Sequence, residues 1–132
     1  MSPELDDKLC QAYPKLFSQR NDDPTTTSMC WGLEVGDGWF TLIDNMCFLI
    51  QNHIDWMEKK NTPIPQVVVT QVKEKFGTLR FYYDGGDEHI HGIVRLAESM
   101  SGSMCENCGA VAETKNNNGW LSTKCLNCMG AK

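Results

Sequence analysis

Two Cys-x-x-Cys pairs near the C-terminus constrain this chain more than any other feature of its sequence. Cys105 and Cys108 form the first pair, Cys125 and Cys128 form the second, and sixteen residues separate them. Each pair on a tight turn can direct two thiolates at one ion, and two such turns complete a tetrahedral Zn²⁺ site. The spacing predicts a C-terminal zinc ribbon over residues 101–132, with Zn²⁺ as its cofactor.

A structural metal fits this pattern better than a reactive one. Four sulfurs in one site could also hold iron, and a redox dithiol would need a thioredoxin-like context that the sequence lacks. Four thiolates leave no open coordination position, so the ion cannot activate water. Metal binding would supply the folding energy that such a short segment cannot obtain from its own core.

Composition indicates one globular core with a small satellite. The chain has 132 residues, of which 41% are hydrophobic and 22% are charged. No apolar run approaches the roughly 20 residues of a membrane span, and the N-terminal "MSPELDDKLC" does not resemble a signal peptide. Seven cysteines without a secretion signal favour thiols and metal in a reducing compartment. We expect a cytoplasmic protein with no membrane partner.

The charge distribution weighs against nucleic acid as the main partner. Residues 1–100 carry nine Lys and Arg against fifteen Asp and Glu, and residues 101–132 carry three against two. Nucleic-acid binding normally depends on neutralisation of phosphates by Lys and Arg. No part of this chain is a basic platform.

Residues 1–100 are predicted to form an α+β body with two main helices and one β-hairpin. The first helix, about 37–60, follows Asp37 as a possible N-cap and stops before Pro63. Its apolar residues recur at 3.6-residue spacing: Ile43, Met46, Cys47, Ile50, Ile54 and Met57. A shorter N-terminal helix over 3–19, interrupted near Pro14, precedes it.

A β-hairpin over about 66–84 and a second main helix follow. β-branched and aromatic residues flank Gly77, which can adopt the positive φ of a tight turn. Asp87 can cap the helix. Two sets of side chains should face the core: Leu79, Phe81 and Tyr83 from the hairpin, and Ile90, Ile93, Val94, Ala97 and Met100 from the helix. "SGS" at 101–103 is predicted to be a flexible joint to the ribbon.

Five residues are candidate partner contacts: Trp31, Trp39, Arg80, Tyr82 and Trp120. Interface energy concentrates in a few aromatic and arginine side chains, which is why these positions are singled out. The alternative for the two tryptophans of "CWGLEVGDGWF" is a structured turn that fills the core, and the pattern favours it. Trp120 follows the turn "NNNG" and is also available to cover the metal.

The hairpin carries the one local basic cluster of the sequence. Lys73, Lys75 and Arg80 lie beside Tyr82 and could grip a phosphate-bearing ligand, so nucleotide or nucleic-acid binding through residues 73–82 is the alternative function. The plainer alternative is a solvated outer face. For catalysis the inventory is thin, since no Ser or Cys lies in a recognisable nucleophile motif, and we expect no enzyme.

Three motifs in this order resemble a family of small proteins encoded by bacteriophages and prophages. They are "WGLEVGDGWF", "VKEKFGTLRFY" and the terminal "CENCG" with "GWLSTKC", within residues 13–128. The resemblance implies a phage setting without supplying an activity. Many relatives have a Cys/His variant of the second pair, whereas this chain has Cys125 and Cys128. Small acidic phage proteins commonly bind host proteins, so the expected function is a zinc-stabilised protein that inhibits or redirects a host bacterial protein, such as a defence or transcription factor.

Overall fold

The computed structural model describes residues 1–130 and confirms the α+β fold. The body contains the helices α1 (Pro3–Ala12), α2 (Phe40–Lys59) and α3 (Glu88–Ser101), and the strands β1 (Leu33–Glu34), β2 (Val68–Lys75) and β3 (Thr78–Asp84). The C-terminal ribbon contains β4 (Glu113–Asn117), β5 (Trp120–Lys124) and the short helix α4 (Leu126–Met129). Single 3₁₀ turns occupy Met29–Trp31 and Asp37–Trp39. No helix in this part of the chain is long and apolar enough to cross a membrane.

The predicted β-hairpin is confirmed. Strands β2 and β3 pair antiparallel around a turn in which Gly77 has a φ of +88° and Phe76 a φ of +55°. The β2–β3 register is irregular between Val69 and Gln71, which marks a β-bulge. Strand β1 adds to the other edge of β2 in parallel, so the sheet order is β1-β2-β3.

The hydrophobic core is built entirely from residues before 98. Helices α2 and α3 pack against each other, and α3 lies along β3. The predicted apolar stripes supply about half of this core: Ile43, Met46, Cys47, Ile50 and Ile54 from α2, Ile90, Val94 and Ala97 from α3, and Leu79 and Phe81 from β3. The stripe residue Met100 is instead 46% exposed.

Helix α3 also protects the free edge of the sheet. The backbone N–H of Leu79 donates to Ser101 Oγ at 2.9 Å, and that of Phe81 donates to Glu98 Oε2 at 2.9 Å. Edge strands with unpaired N–H groups invite pairing with other chains, and these bonds satisfy two such groups. Ser101 is fully buried. The expected flexible joint at 101–103 is therefore wrong, because its first residue ends α3 inside the structure.

The two predicted helix caps have different outcomes. Asp87 caps α3 by accepting a hydrogen bond from the Ile90 N–H at 3.1 Å, and its other oxygen lies 2.8 Å from His53 Nε2 on α2. Burial raises the pKa of Asp87, but the hydrogen bonds to His53 and Ile90 lower it by more than burial raises it. The pKa of Asp87 is therefore below its usual range. Asp37 does not cap α2, because it is the first residue of the 3₁₀ turn that precedes the helix, and it instead accepts from the Ser2 N–H at 2.7 Å.

Of the N-terminal helix predicted over 3–19 with an interruption near Pro14, only the part before Pro14 is helical. Helix α1 stops at Ala12, two residues before Pro14. The following turns place Leu16 and Phe17 in the core, and the Leu16 carbonyl accepts from the Val69 N–H at 2.8 Å. This bond joins the N-terminal segment to the β2 end of the hairpin.

Candidate metal centre

The four predicted metal ligands come together in one cluster. The Sγ atoms of Cys105, Cys108, Cys125 and Cys128 all lie within 4.8 Å of one another. Tetrahedral coordination with Zn–S bonds of about 2.3 Å places sulfurs about 3.8 Å apart. The Cys108 and Cys125 sulfurs are 3.6 Å apart, and all seven cysteines are free thiols. The donor set fits a single tetrahedral metal ion.

Backbone hydrogen bonds form the first knuckle, residues 105–108. The Cys105 N–H donates to the Ala110 carbonyl at 2.7 Å, and the Gly109 N–H donates to the Cys105 carbonyl at 2.8 Å. Gly109 has a φ of +83°, a conformation that glycine adopts without steric cost. This tight turn is what aims both thiols of the first pair at the same point.

The second knuckle, residues 125–128, lies at the surface. Cys125 lies between β5 and α4 as the N-cap residue of α4, and its carbonyl accepts from the Met129 N–H at 2.9 Å. Leu126, directly after it, is 79% exposed. The antiparallel pairing of β4 with β5 carries the chain back to this position, and the Glu106 N–H donates to the Thr123 carbonyl at 2.9 Å. The two knuckles are thereby held face to face.

The thiols differ strongly in acidity. Burial raises the pKa of Cys105, but backbone N–H donors, the first of them Cys125, outweigh burial and bring the pKa down to about 6. Hydrogen bonding of the Cys128 thiol to the neighbouring sulfurs, Cys125 first, favours its protonated form and raises the pKa of Cys128 to about 12. Thiols that share protons in this way are the arrangement that a divalent cation converts to thiolates on binding.

The first knuckle docks on two glycines of the body. The Gly38 N–H donates to the Glu106 carbonyl at 2.7 Å, and the Gly36 N–H donates to Glu106 Oε2 at 2.9 Å. A Cβ on Gly38 would lie 2.1 Å from the Cys105 carbonyl oxygen, well inside contact distance. Glycine at position 38 therefore allows the two backbones to approach closely.

Trp39 completes this docking site from inside the body. Its indole Nε1–H donates to the Met104 carbonyl at 2.8 Å, and its side chain is fully buried. The sequence motif "GDGW" thus forms the surface of the body on which the first cysteine knuckle packs. Because Trp39 is fully buried, it cannot contact a partner, and its selection as a partner contact is wrong. Its position agrees with the alternative that this tryptophan fills the core.

A second contact joins the hairpin turn to the ribbon sheet. The buried Thr123 donates its hydroxyl to the Gly77 carbonyl at 2.6 Å. A Cβ on Gly77 would lie 2.8 Å from Thr114 Cγ2, so the turn presses closely on β4 and β5. The motif "KFGTL" therefore serves the junction between the body and the ribbon as well as the hairpin.

Three of the other candidate partner contacts are exposed, and the fourth is half-buried. Trp31 is 67%, Tyr82 43% and Trp120 72% exposed. Arg80 is half-buried, directly opposite Lys73 on the neighbouring strand, and its Nε is enclosed without a hydrogen-bond partner among residues 1–130. Whether these side chains contact a partner stays a prediction.

Trp120 lies beside an aromatic residue that the sequence analysis did not select. It pairs with Asn117 at the turn of the ribbon hairpin, the end opposite to Cys125, so it does not cover the metal centre. Trp120 and Phe76 line a cavity of about 260 Å³ with Glu74 and Leu121. Phe76 is 65% exposed in a positive-φ conformation. The sequence signal that could have indicated Phe76 as an exposed contact is its position directly before the turn glycine, Gly77.

Fold and site together define an α+β protein with a C-terminal four-cysteine cluster suited to metal binding. Comparisons with models of protein families, with curated proteins and with solved structures found no match for this chain. The features of the described residues that bear on function are the four-cysteine cluster and the exposed aromatic side chains.

Proposed function

We propose that the four cysteines bind one Zn²⁺ ion per chain with a structural role. Their separations support tetrahedral coordination, and an all-thiolate donor set is typical of structural zinc. Elemental analysis of protein purified without added metal should give one zinc per chain. Iron in place of zinc, or a metal content near zero, would refute the assignment.

We further propose that the chain is a bacteriophage-encoded, zinc-stabilised binding protein that acts in the host bacterial cytoplasm by inhibiting or redirecting a host protein. The phage setting rests on the three sequence motifs described above. One observation carries the binding role: exposed aromatic side chains stand on elements that the metal centre and the sheet hold in place. Trp120 on β5 and Tyr82 on β3 are the clearest examples.

The outer face of the β2–β3 hairpin supports this role. Arg80 and Tyr82 alternate with the buried Leu79 and Phe81, so they point away from the core. Aromatic and arginine side chains on rigid elements lose little conformational entropy on binding, and they dominate interface energetics. A defence or transcription factor of the host is the class of partner that we expect.

A capture experiment with matched variants tests this proposal. The parent protein and the variants Tyr82→Ala, Arg80→Ala and Trp120→Ala are immobilised and exposed to bacterial lysate. Trp56→Ala is the control, because Trp56 is 58% exposed on α2, outside the proposed surface. We expect one host protein to bind the parent and the control but not the three variants, with melting temperatures unchanged. Equal capture by all five proteins would place the contact surface elsewhere.

A second candidate function is nucleotide or nucleic-acid binding through residues 73–82. Arg80 and Lys73 form a cross-strand pair of positive charges, and the Arg80 Nε has no partner within residues 1–130. A phosphate between them would satisfy both groups. Thermal shift with nucleotides and short oligonucleotides discriminates the candidates: stabilisation of the parent but not of Arg80→Ala would favour this one.

A further inference from the structure

A polar cleft opens beside the outer face of the hairpin. It has a volume of about 570 Å³ and is bounded by the loop at residues 24–28 and by Thr70, Gln71, Tyr82 and Asp84 of the two strands. Small-molecule sites commonly have volumes of about 300–1,000 Å³. The cleft shares no lining residue with the metal cluster or with the Phe76 and Trp120 cavity.

The loop side of the cleft presents hydroxyl groups in fixed orientations. Thr25 Oγ1 donates to Asp23 Oδ1 at 2.9 Å, and Thr26 Oγ1 donates to the Asp23 carbonyl at 2.9 Å. Thr27 Oγ1 accepts from the Met29 N–H at 3.1 Å. The first two hydroxyls have already used their protons, so they offer lone pairs to a ligand, whereas Thr27 retains its proton.

An unsatisfied acceptor lies in the same wall. Gln19 lines the cleft, and its Oε1 atom is buried without a hydrogen-bond partner among the described residues. Leaving a buried acceptor unpaired is unfavourable, so this oxygen favours a ligand that donates a hydrogen bond.

The strand side adds an aromatic ring and a carboxylate. The β-bulge at Thr70 brings two successive polar residues, Thr70 and Gln71, to the cleft, and Gln71 is directly opposite Tyr82. The Tyr82 ring can pack on an apolar ligand face. Asp84 offers two carboxylate oxygens, which can accept the protons of two adjacent hydroxyl groups.

We propose that this cleft binds an uncharged compound with vicinal hydroxyl groups, from either a glycan or the ribose of a nucleoside. Among residues 1–130 no Lys or Arg lines the cleft, so a phosphate would meet acceptors without a counter-charge. Hydroxyl groups both donate and accept, which matches a lining of hydroxyls, amides and one carboxylate. This activity goes beyond the proposed host-protein binding and requires no protein partner.

Amide chemical shifts of the ¹⁵N-labelled, zinc-loaded protein test the proposal. The glycan arm uses methyl glycosides of glucose, galactose and N-acetylglucosamine, and the ribose arm uses adenosine. The comparison compounds are 2′,3′-dideoxyadenosine, which lacks the diol, and putrescine, a cation. We expect at least one diol compound to shift the amide signals of residues 19, 25–28, 70–71 and 82–84, and neither comparison compound to do so.

Two variants tie the binding to the cleft. Asp84→Asn and Thr70→Val should each weaken binding of the active compound about tenfold, the loss expected for one good hydrogen bond. Glu113→Gln on β4 is the matched control and should bind like the parent. The proposal is overturned if no diol compound binds, if dideoxyadenosine or putrescine binds equally well, or if both cleft variants retain full affinity while melting like the parent.

Discussion

The two cysteine knuckles contain the same four-residue pattern but lie in different surroundings. Cys105 of the first knuckle is fully buried, and the residues around it accept three hydrogen bonds from the body. The second knuckle includes most of the short helix α4, whose Leu126 is exposed, and both of its cysteines are half-buried. Identical ligands therefore have different structural tasks: the first pair joins the ribbon to the body, and the second pair closes the metal site.

This difference implies that metal binding stabilises part of the body. Gly36, Gly38 and Trp39 all donate hydrogen bonds to the segment that carries the first knuckle. If the metal is lost, that knuckle loses its tight turn and these three donors lose their partners. The buried residues of the core all precede the ribbon, and the half-buried Met104 of the ribbon packs against them, so most of the core should persist. We expect a folded body with a loosened "GDGW" segment.

The largest difference should come from serine substitution in each knuckle. Cys105→Ser and Cys128→Ser each remove one thiolate and should lower zinc affinity by orders of magnitude. Cys105→Ser also places a hydroxyl at a fully buried junction, which adds about 1–3 kcal/mol of destabilisation. Thermal unfolding with zinc present should give the lower melting temperature for Cys105→Ser. Equal melting temperatures would mean that the knuckles are equivalent.

Alanine at Gly38 should separate the first knuckle from the body. The new Cβ would meet the Cys105 carbonyl oxygen at 2.1 Å, and overpacking of this kind costs about 1–3 kcal/mol. The matched control is Gly92→Ala in α3, where no atom lies within 4 Å, and it should add about 0.5–1 kcal/mol of stability. Denaturant unfolding measures both. A harmless Gly38→Ala would show that the docking geometry is different.

Phenylalanine at Trp39 probes the indole hydrogen bond of the junction. The variant keeps an aromatic ring in the core but leaves the Met104 carbonyl without its donor, at a cost of about 1 kcal/mol. Zinc release to a colorimetric chelator should be several-fold faster than in the parent. Trp56→Phe, at an exposed position, should release zinc at the parent rate. Identical rates for all three proteins would uncouple Trp39 from the centre.

The smallest effect should come from a helix–helix contact that the junction does not include. Asp87→Asn keeps an N-cap for α3 but loses the negative charge beside His53. The pKa of Asp87 is lowered in the folded state, so its contribution is complete above the unfolded pKa of about 4 and is lost as pH falls through the folded pKa. We expect a loss below about 1 kcal/mol at neutral pH, shrinking in acid. A difference that grows in acid would contradict this sign.

The sequence predicted those features that depend on local pattern. The 3.6-residue stripe from Ile43 to Ile54, the hairpin around Gly77 and the Asp87 cap all follow from neighbouring residues, and the cysteine spacing predicted the cluster. The body-to-ribbon junction was missed, because it joins Gly38 to Glu106 across 68 positions of the chain. The sequence contains no local signal for which glycines pack against a distant segment of backbone.

Local sequence patterns also gave an incomplete account of two positions, Asp37 and Phe76. Asp37 was predicted to cap α2, but it is part of a 3₁₀ turn, and its carboxylate accepts a hydrogen bond from the Ser2 N–H directly before α1. Phe76 adopts a positive φ that bulky residues rarely take, at a turn whose glycine presses on the ribbon. At Asp37 a contact between distant segments overrides the local preference. At Phe76 the cause is local, because Phe76 and Gly77 form the two-residue turn of the hairpin, which requires a positive φ at both positions.

Amide hydrogen exchange at Gly36 and Gly38, measured before and after zinc removal with a chelator, tests the central claim most directly. With zinc bound, both amides should be protected by their bonds to Glu106. After zinc removal they should exchange rapidly, while the Val69 amide, bonded to the Leu16 carbonyl, should stay protected. Unchanged protection of Gly36 and Gly38 in the zinc-free protein would contradict a metal centre that holds the first knuckle to the body.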